Sequence, residues 1–447
     1  MTAQAFVFEP ARCTGCEACR VACAIENRLP MEMTWRTIHH ANAAHLPWGA
    51  TFHLSMACNH CDRPACLEGC PASAYTRDAR TGAVLLDDSA CVGCRYCSWM
   101  CPYDAPRFNE AKGVMAKCTF CHSRLVEGRA PACASACPTG ALGVEARENG
   151  PEPLFPGLPQ RGLGPGLRIV GPLPSPPRLT HPATEEGLTW MGIPSGLASR
   201  IAVRSEWSLL VFTTLVPLLV ASQITATLRG TAPVGGISFL VLGALAAALS
   251  LMHLGRPGRA WRALSNLRRS WLSREILAFL LFIPLASAQL LFGLRGPGAW
   301  AVAGLGLGLL LCVDRVYQTA EGRPPWRFHS AEALLAGLFL TGFFAGIPFL
   351  LLPIALARLW LYFGRWRHFL SARSLVPAAV RTAGLCLPGL ALWGHGEAPP
   401  WLLVVAVLVG ELVDRAAFYR GLDLPNPAVQ VEAFPFRGVP PGCEDPA

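Results

Sequence analysis

Apolar residues follow two different patterns along the chain. Before about residue 147 the apolar stretches are short, such as FVFE from Phe6 and AVLLDD from Ala83, and they alternate with cysteine motifs. From residue 206 onwards the stretches are long, and most approach the ~20 residues that cross a ~30 Å hydrocarbon layer. This pattern predicts eight membrane-spanning helices, near 207–228, 234–254, 274–294, 298–319, 331–346, 347–364, 376–394 and 401–420.

The fifth and sixth of these segments are short and adjoin at Gly346-Ile347-Pro348. Because proline disrupts a continuing helix, the pair predicts two short helices joined tightly or one long kinked helix. A count of seven spans is therefore the alternative to eight.

A Pro/Gly-rich segment separates the two patterns. From residue 151 it reads PEPLFPGLPQRGLGPGLRIVGPLPSPP, which is too rich in Pro and Gly for helix or sheet. We expect an extended, semi-rigid tether here. The predicted domains are a cysteine-rich head (1–147), a linker (148–205), a membrane domain (206–421) and a C-terminal tail (422–447).

Charge and composition fit a membrane protein. The net charge is +9, with 52% hydrophobic and 15% charged residues, and no basic run carries interleaved aromatics, so we expect no nucleic-acid partner. The N-terminal MTAQAFVFEP lacks the features of a signal peptide, so we expect the head to be made in a reducing cytoplasm. Two arginines, Arg229 and Arg295, occupy the loops far from the head, and all other loop arginines lie on the head side. The positive-inside rule then predicts a multi-pass protein of the bacterial cytoplasmic membrane with a cytoplasmic head.

Sixteen of the 19 cysteines lie in four motifs before Pro138. The first and third motifs have the spacing C-x2-C-x2-C-x3-C, the second C-x2-C-x4-C-x3-C and the fourth C-x2-C-x11-C-x3-C. Their members are Cys13, Cys16, Cys19 and Cys23; Cys58, Cys61, Cys66 and Cys70; Cys91, Cys94, Cys97 and Cys101; and Cys118, Cys121, Cys133 and Cys137. Cys312, Cys386 and Cys443 belong to no motif.

This spacing favours iron–sulfur clusters. Three close cysteines wrap one corner of a cubane, and the trailing cysteine ligates the other cluster of a two-cluster unit. Structural zinc is the alternative, but zinc needs only pairs of C-x2-C and gives no reason for a third close cysteine. At four ligands each, sixteen cysteines predict four [4Fe-4S] clusters. The predicted fold is an α+β ferredoxin-like head with two double-cluster units, fused to an all-α membrane bundle of about eight helices.

The order and spacing of the four motifs resemble the four-cluster subunit of the dimethyl-sulfoxide-reductase, polysulfide-reductase and formate-dehydrogenase group of molybdenum oxidoreductases. The resemblance covers roughly residues 4–145. It implies that the first and fourth motifs share one unit and that the second and third share the other. The implied ligand sets are Cys13, Cys16, Cys19 and Cys137; Cys118, Cys121, Cys133 and Cys23; Cys58, Cys61, Cys66 and Cys101; and Cys91, Cys94, Cys97 and Cys70.

The resemblance also implies an electron path. The cluster of Cys13 would face a molybdopterin-containing catalytic subunit, and the cluster of Cys91 would face the membrane. In nitrate-reductase relatives the position of Cys94 is tryptophan and that cluster has three irons, so the cysteine here implies four. No molybdopterin or substrate site is visible in this chain, so we expect it to be the non-catalytic subunit of an oxidoreductase complex.

The membrane domain resembles the anchor subunit of the dimethyl-sulfoxide-reductase type. The matching motifs are MHLGRPGRAWRALSNLRRSWLSREI from Met252, DRVYQTAEGRPPW from Asp314 and GELVDRAAFY from Gly410. That family exchanges electrons with menaquinone or ubiquinone without haem, and its quinol-site residues correspond to His253 and Glu275. The chain therefore looks like a natural fusion of the two subunits, of a sulfite-oxidising or dimethyl-sulfoxide-reductase-like complex.

The positions of the ionisable residues favour the same quinone site. His253 and Glu275 flank the second and third spans on the head side, and intramembrane ionisable residues are usually functional. Asp314, Arg315, Tyr317 and Glu332 are further candidates for the pocket. The alternative is that these side chains lie at the interface and reach water.

Three further expectations concern the bundle interior. His253, His329, His368 and His395 lie at or beyond the ends of spans, so we expect no haem. We expect ion pairs inside the bundle among Arg358, Glu411, Asp414 and Arg415. These pairs would either stabilise the structure or form a proton path. An ion-translocating respiratory module is the alternative function, and it needs a polar path for which the far half offers Gln223 and Gln289.

Overall fold

The structure is a computed structural model of the chain. It describes residues 3–42, 50–147, 161–172, 206–321, 328–366, 375–393 and 400–420, together with residues 204, 422, 424, 427, 428 and 431. The chain divides into two compact units. We call Met1–Arg200 with Asp423–Ala447 the head, and Ile201–Leu422 the anchor.

In its described residues the head contains nine short strands. They are β1 (Gln4–Phe8), β2 (Thr37–Ala41), β3 (Phe52–Met56), β4 (Tyr75–Arg77), β5 (Val84–Leu86), β6 (Arg107–Asn109), β7 (Val114–Ala116), β8 (Leu142–Ala146) and β9 (Leu167–Ile169). Three antiparallel pairs, β2–β3, β4–β5 and β6–β7, form separate two-stranded sheets. The remaining sheet has the order β8–β1–β9, so the strand before the first cysteine motif pairs with the strand after the fourth.

Strand β9 corrects one expectation. The segment from residue 151 was expected to form neither helix nor sheet, yet Leu167–Ile169 pairs in parallel with Phe6–Phe8 of β1. The backbone of Gly166 approaches the head so closely that an added Cβ would lie 2.8 Å from the Asn59 carbonyl oxygen. Within residues 161–172 the edge of β1 therefore supplies hydrogen bonds that the local composition did not predict. The other residues of this segment lie outside the described ranges.

Five short helices follow or contain cysteines. They are α1 (Ala18–Glu26), α2 (Ala65–Gly69), α3 (Tyr96–Met100), α4 (His122–Val126) and α5 (Ala132–Ser135). Glu17 before α1 and Arg95 before α3 both have left-handed backbone conformations. In each case a C-x-G-C turn, with Gly15 or Gly93 also at positive φ, wraps the backbone before the helix begins. Helix α1 packs on α5, and α2 packs on α3.

Cysteines make up part of the head core. Phe6, Phe8, Leu54 and Phe120 are buried there, beside cysteines from the first and fourth motifs. Val431, near the C-terminus, is also buried in this core. The predicted tail therefore contributes at least one side chain to the head, although most of residues 422–447 lie outside the description.

The anchor contains eight described helices. They are α6 (Trp207–Arg229), α7 (Gly236–Met252), α8 (Trp271–Phe292), α9 (Pro297–Glu321), α10 (Ala333–Phe344), α11 (Pro348–Trp366), α12 (Leu375–Trp393) and α13 (Pro400–Arg420). Each corresponds to one predicted apolar segment. A 3-10 helix, Pro257–Leu264, lies in the basic loop after α7 and was not predicted.

Three of these helices, α6, α8 and α9, are long and apolar enough to cross a membrane by length and composition. Helix α7 with the following 3-10 helix would give a fourth, although the pair is bent by 101°. The described residues thus support a multi-pass anchor with three to four candidate spans, and the count of eight remains a prediction. Helix α10 has 12 residues. At ~1.5 Å per residue it extends only ~18 Å, well short of a ~30 Å layer.

The junction between the fifth and sixth predicted segments, at Gly346, is a helix boundary. Helix α10 ends at Phe344 and α11 begins at Pro348, with Gly346 at φ +59 between them. The Ile347 amide donates back to the Gly342 carbonyl at 2.9 Å, which closes the end of α10. The segment is therefore two helices rather than one kinked helix.

Candidate functional site

None of the sixteen motif cysteines, all of which lie in the described part of the chain, is paired in a disulfide. The structure brings them together in four groups, which we number along the head. Site 1 is Cys13, Cys16, Cys19 and Cys137; site 2 is Cys23, Cys118, Cys121 and Cys133; site 3 is Cys58, Cys61, Cys66 and Cys101; and site 4 is Cys70, Cys91, Cys94 and Cys97. Within each site the thiols are near enough to interact electrostatically, and each site joins cysteines of two motifs.

The four sites form a row. Cys19 of site 1 interacts with Cys133 of site 2. Cys118 of site 2 interacts with Cys58 of site 3, and Cys66 of site 3 interacts with Cys97 of site 4. Each site is therefore adjacent to the next one in the order 1, 2, 3, 4.

Two of the sites surround cavities. The four thiol residues of site 1 line one cavity, together with Phe8 and Ile38. The four of site 3 line the other. Tetrahedral zinc would draw its four thiolates to ~2.3 Å from one point. Among the described residues no three His, Cys, Asp or Glu side chains converge in that way.

Burial makes these thiols depend on a bound cluster. It raises the pKa of Cys94 to about 12, and burial together with the nearby Cys133 raises the pKa of Cys23 to about 12. Backbone amides already point at several sulfurs, such as those from Ala74 to Cys70 at 3.3 Å and from Phe120 to Cys118 at 3.3 Å. Thiolates in this setting need both metal and such donors to remain charged.

In the anchor, contacts between helix ends define one end of the bundle. We call the end where α6 begins the proximal end and the opposite end the distal end. At the proximal end the predicted residue His253, which follows α7, meets Glu206, which precedes α6, with Nδ1 and Oε2 3.1 Å apart. Both side chains are buried. Sequence reasoning missed Glu206, although a lone carboxylate directly before an apolar helix was a visible signal.

Glu275 is buried in α8 at the same end. It lies within electrostatic range of Asp314 and Tyr317. Among the described residues, none donates a hydrogen bond to its carboxyl group. A carboxyl group buried without a donor in an apolar bundle is expensive, which makes it a functional candidate.

The other four candidates have structural partners. The Asp314 carboxylate accepts hydrogen bonds from the Ala333 and Leu334 amides at 2.6 and 3.0 Å, so it caps α10 from the neighbouring helix α9. Glu332 accepts from the Gln318 amide at 3.0 Å, and the half-buried Arg315 donates to the same Gln318 at 3.1 Å.

Tyr317 meets a tyrosine that was quoted in a motif but not chosen as a candidate. Its hydroxyl forms a short hydrogen bond with the hydroxyl of Tyr419 on α13, and both rings are buried beside Phe418. The candidates from α8, α9 and the start of α10 therefore share one polar region, while His253 lies with Glu206. Tyr419 is within electrostatic range of Glu206 and so lies between the two groups.

A second polar cluster lies deeper in the anchor. Arg358 makes a bidentate ion pair with Glu411 at 2.6 and 2.8 Å and reaches Asp414 at 3.4 Å. Arg381, which was missed, pairs with Glu411 at 3.1 Å and Asp414 at 2.7 Å. The expected pairing of Arg358 with the two carboxylates is present. The predicted fourth member, Arg415, instead lies over the Phe418 ring.

At the distal end the two predicted glutamines bind each other. The Gln223 amide donates to Gln289 at 2.8 Å, and both side chains contact Thr227. The Gln223 side-chain oxygen has no hydrogen-bond partner among the described residues. Within that part of the chain, the hydrogen bonds of the two glutamine side chains join them to each other, to Thr227 and to the Ala299 carbonyl.

Two family models match this chain. One, described as a 4Fe-4S dicluster domain, matches residues 50–147. The other, described as the DMSO reductase anchor subunit (DmsC), matches residues 203–353. The two matches lie one after the other in a single polypeptide.

Curated relatives match about a third of this chain. An anaerobic dimethyl sulfoxide reductase chain of Escherichia coli K12 is 40% identical over 151 residues, which are 32% of this chain and 73% of that protein. A tetrathionate reductase subunit of Salmonella typhimurium is 39% identical over 139 residues, 31% of this chain and 55% of that protein. A putative dimethyl sulfoxide reductase iron–sulfur subunit of Halobacterium salinarum is 34% identical over 172 residues, 32% of this chain and 65% of that protein.

The cysteine sites and the helical anchor define a membrane-associated electron-transfer protein with 4Fe-4S clusters. The protein belongs to the family of the iron–sulfur subunits of anaerobic dimethyl sulfoxide reductase, fused here to the anchor domain of the same type of enzyme. It is thus an electron-transfer and membrane-anchor subunit of a molybdoenzyme complex.

Proposed function

We propose that the chain carries electrons between a molybdopterin-containing catalytic subunit and quinone in the lipid bilayer. The observation that carries the proposal is the row of four cysteine sites, each next to the following one. When bound, four [4Fe-4S] clusters would supply one-electron steps along this row. The substrate of the catalytic subunit and the direction of flow are properties of the complex.

The ligand sets are those of sites 1 to 4, arranged as two double-cluster units. Sites 1 and 2 combine the first and fourth motifs, which the β1–β8 pairing and the α1–α5 contact hold together. Sites 3 and 4 combine the second and third motifs, which the β4–β5 hairpin and the α2–α3 contact hold together. Each unit thus has its own sheet and helix pair, which supports two units rather than one merged core.

Quinone chemistry needs proton donors and acceptors, and we assign these roles to His253 and Glu275. Glu206 Oε2 lies 3.1 Å from His253 Nδ1, so the buried imidazole has a carboxylate beside it that favours its protonated form during proton exchange. Glu275 is buried and has no donor among the described side chains, so its carboxyl group is available to exchange a proton. Asp314 acts mainly as the cap of α10, while Tyr317, Arg315 and Glu332 line the region around it.

We further propose eight spans with the head in the cytoplasm of a bacterium. The proposal is supported by eight helices at the eight predicted segments and by the arginines in the loops on the head side. The short helix α10 would cross only together with neighbouring residues that also lie within the membrane.

The first test is purification of the native complex through a tag on this chain, followed by metal analysis and quantitative electron paramagnetic resonance. We expect a molybdopterin subunit with molybdenum or tungsten, and four cubane signals after reduction. Absence of such a subunit would refute the catalytic partner. Fewer than four clusters in a fully assembled complex would refute the ligand sets.

The second test concerns the quinone site. In His253→Ala, Glu275→Gln and Glu206→Gln, electron exchange with a quinone analogue should fall at least about tenfold, while cluster signals stay unchanged. Gln289→Leu is the matched control, because it removes a buried polar group at the distal end of the same bundle. Wild-type quinone rates in both His253→Ala and Glu275→Gln would overturn the site.

A further inference from the structure

The head buries two cations deep among the cysteine sites. Arg36 is 1% exposed and Lys117 is 3% exposed. Neither residue lies within one of the four cysteine motifs, and neither was chosen from the sequence as a candidate site residue. Burying a charged side chain is costly unless anions lie close by, so the surroundings of both cations need an explanation.

Arg36 lies between sites 1 and 2. Its Nη1 donates to the Ser55 hydroxyl at 3.0 Å and to the Ser55 carbonyl at 3.3 Å, and its guanidinium carbon lies 4.5 Å from the centre of the Phe6 ring. Among the described residues its Nε and Nη2 have no hydrogen-bond partner. The anions near it are cysteine thiolates: Cys19 of site 1 and Cys23, Cys118 and Cys133 of site 2.

Lys117 lies between sites 2 and 3. Its ammonium group donates to the Cys118 carbonyl at 2.9 Å and makes a short hydrogen bond to the Val84 carbonyl. It interacts electrostatically with Cys118 of site 2 and with Cys58 and Cys66 of site 3. Burial opposes the charge of each cation, and the anions that can offset it are the cysteine sulfurs of the sites on either side.

The gap between sites 3 and 4 holds a neutral group. Tyr75 is buried there and interacts with Cys66 of site 3 and Cys97 of site 4. A tyrosine phenol is ordinarily neutral at neutral pH, so it adds no fixed charge to this gap. Along the row the three gaps thus contain an arginine, a lysine and an uncharged tyrosine.

A fixed positive charge favours the more negative, reduced form of a nearby cluster, and net charge is one of the factors that set cluster potentials. We propose that Arg36 and Lys117 are potential-setting residues, in which Arg36 raises the reduction potentials of sites 1 and 2 and Lys117 raises those of sites 2 and 3. The proposal rests on the proposed function, since it requires cubanes in these sites. It assigns site 2, between both cations, the largest electrostatic stabilisation.

The test is a potentiometric titration of the whole purified complex, followed by electron paramagnetic resonance. The charge-removing variants are Arg36→Gln and Lys117→Met, and the charge-keeping variants are Arg36→Lys and Lys117→Arg. Arg80→Gln is the matched control, because Arg80 is an exposed arginine of the same head. Spin quantitation in every sample reports cluster content independently of activity.

Each charge-removing variant should lower the reduction potentials of the two sites beside the changed residue. At a fixed solution potential the ratio of reduced to oxidised cluster should fall about tenfold in each, which corresponds to a shift of ~59 mV for a one-electron couple. Site 4 should stay unchanged in both. The charge-keeping variants should recover most of the shift, and Arg80→Gln should show none. A structural role alone would change cluster content and would not follow the charge.

The outcomes are distinguishable. Missing cubane signals in the wild-type complex would refute the proposed function. Four signals in wild type, with unchanged potentials in fully loaded Arg36→Gln and Lys117→Met, would refute this inference alone. If Arg36→Gln fails to assemble, Lys117→Met decides: unchanged potentials at sites 2 and 3 would refute the inference, and a lowering that Lys117→Arg reverses would support it.

Discussion

The head and the anchor both bury charged side chains, but they compensate them differently. In the head, Arg36 and Lys117 are surrounded by cysteine thiolates that become permanent anions only with metal. In the anchor, the two arginines of the deep cluster are paired with two carboxylates of the same chain, Glu411 and Asp414.

The difference shows how each unit is completed. The anchor cluster carries two positive and two negative groups, so its charges balance within the protein. In the head, thiols line two cavities, and Arg36 and Lys117 lie beside thiols of the sites. The head core therefore requires a bound group that fills the cavities and balances the charges of the cations. We therefore expect the head to depend on clusters for its fold and the anchor to depend on packing and ion pairs.

The largest expected effect follows from removing the clusters. Treatment of the purified protein with an iron chelator and oxidant should unfold the head and leave the anchor helices intact. Far-ultraviolet circular dichroism should retain most helical signal, while limited proteolysis should cut within residues 1–147. The control is reductive reconstitution of the clusters in the treated protein, which should restore protection. A head that stays protease-resistant without iron would contradict the expected dependence of its fold on the clusters.

Breaking the buried ion cluster should affect the anchor only. Arg358→Leu leaves Glu411 and Asp414 with one cation in an apolar interior, and such a change costs about 3–5 kcal/mol. Thermal unfolding in detergent, followed by circular dichroism, should shift to lower temperature, with unchanged iron content. The double variant Arg358→Leu/Glu411→Leu is the matched control and should recover part of the loss. Equal loss in both variants would show that the pair is not what matters.

A smaller effect distinguishes a structural carboxylate from a functional one. Asp314→Ala removes the acceptor for the Ala333 and Leu334 amides and should cost about 0.5–2 kcal/mol, as for other helix caps. Asp314→Asn keeps an acceptor oxygen and should cost less. Quinone reduction should suffer less in Asp314→Asn than in Glu275→Gln. The reverse order of quinone rates would make Asp314 the proton-exchanging group.

The smallest effect concerns Ser55. Its hydroxyl lies 3.4 Å from the Cys19 sulfur and accepts from Arg36, so Ser55→Ala should lower the potential of site 1 by less than tenfold in the redox ratio, under ~59 mV. Ser55→Thr retains the hydroxyl and is the control. A shift as large as that of Arg36→Gln would mean that Ser55 acts by holding the guanidinium.

The head was more predictable than the anchor because its chemistry is local. Cysteines with two residues between them reach one site through a turn, so Gly15 and Cys16 already imply the wrapped loop before α1. Strand β9 was not predictable from its composition, since its hydrogen bonds come from β1, about 160 residues earlier. The helix break at Gly346 was one of two alternatives, and only the backbone at that residue decided between them.

In the anchor, the sequence marked His253, Glu275 and Asp314 as candidates for a quinone site but did not indicate which residues they contact. Glu206 and Arg381 were missed because each has meaning only through a partner on another helix. Asp314 was expected at a quinone pocket, and its observed bonds show a cap on α10 that no spacing rule could reveal. Helical periodicity indicates where apolar segments lie, but it does not indicate which neighbours meet.

The sequence by itself therefore determined the cysteine motifs, the apolar segments and the separation of head from anchor, because these depend on short spacings and on residue type. The tertiary structure alone decided that four thiol sites stand in a row, that Arg36 and Lys117 lie in the first two gaps, and that Glu206 holds His253. The physical reason is the distance along the chain over which each interaction acts. Ligand spacing and hydrophobicity act within a few residues, whereas buried charges find their partners only when distant segments pack together.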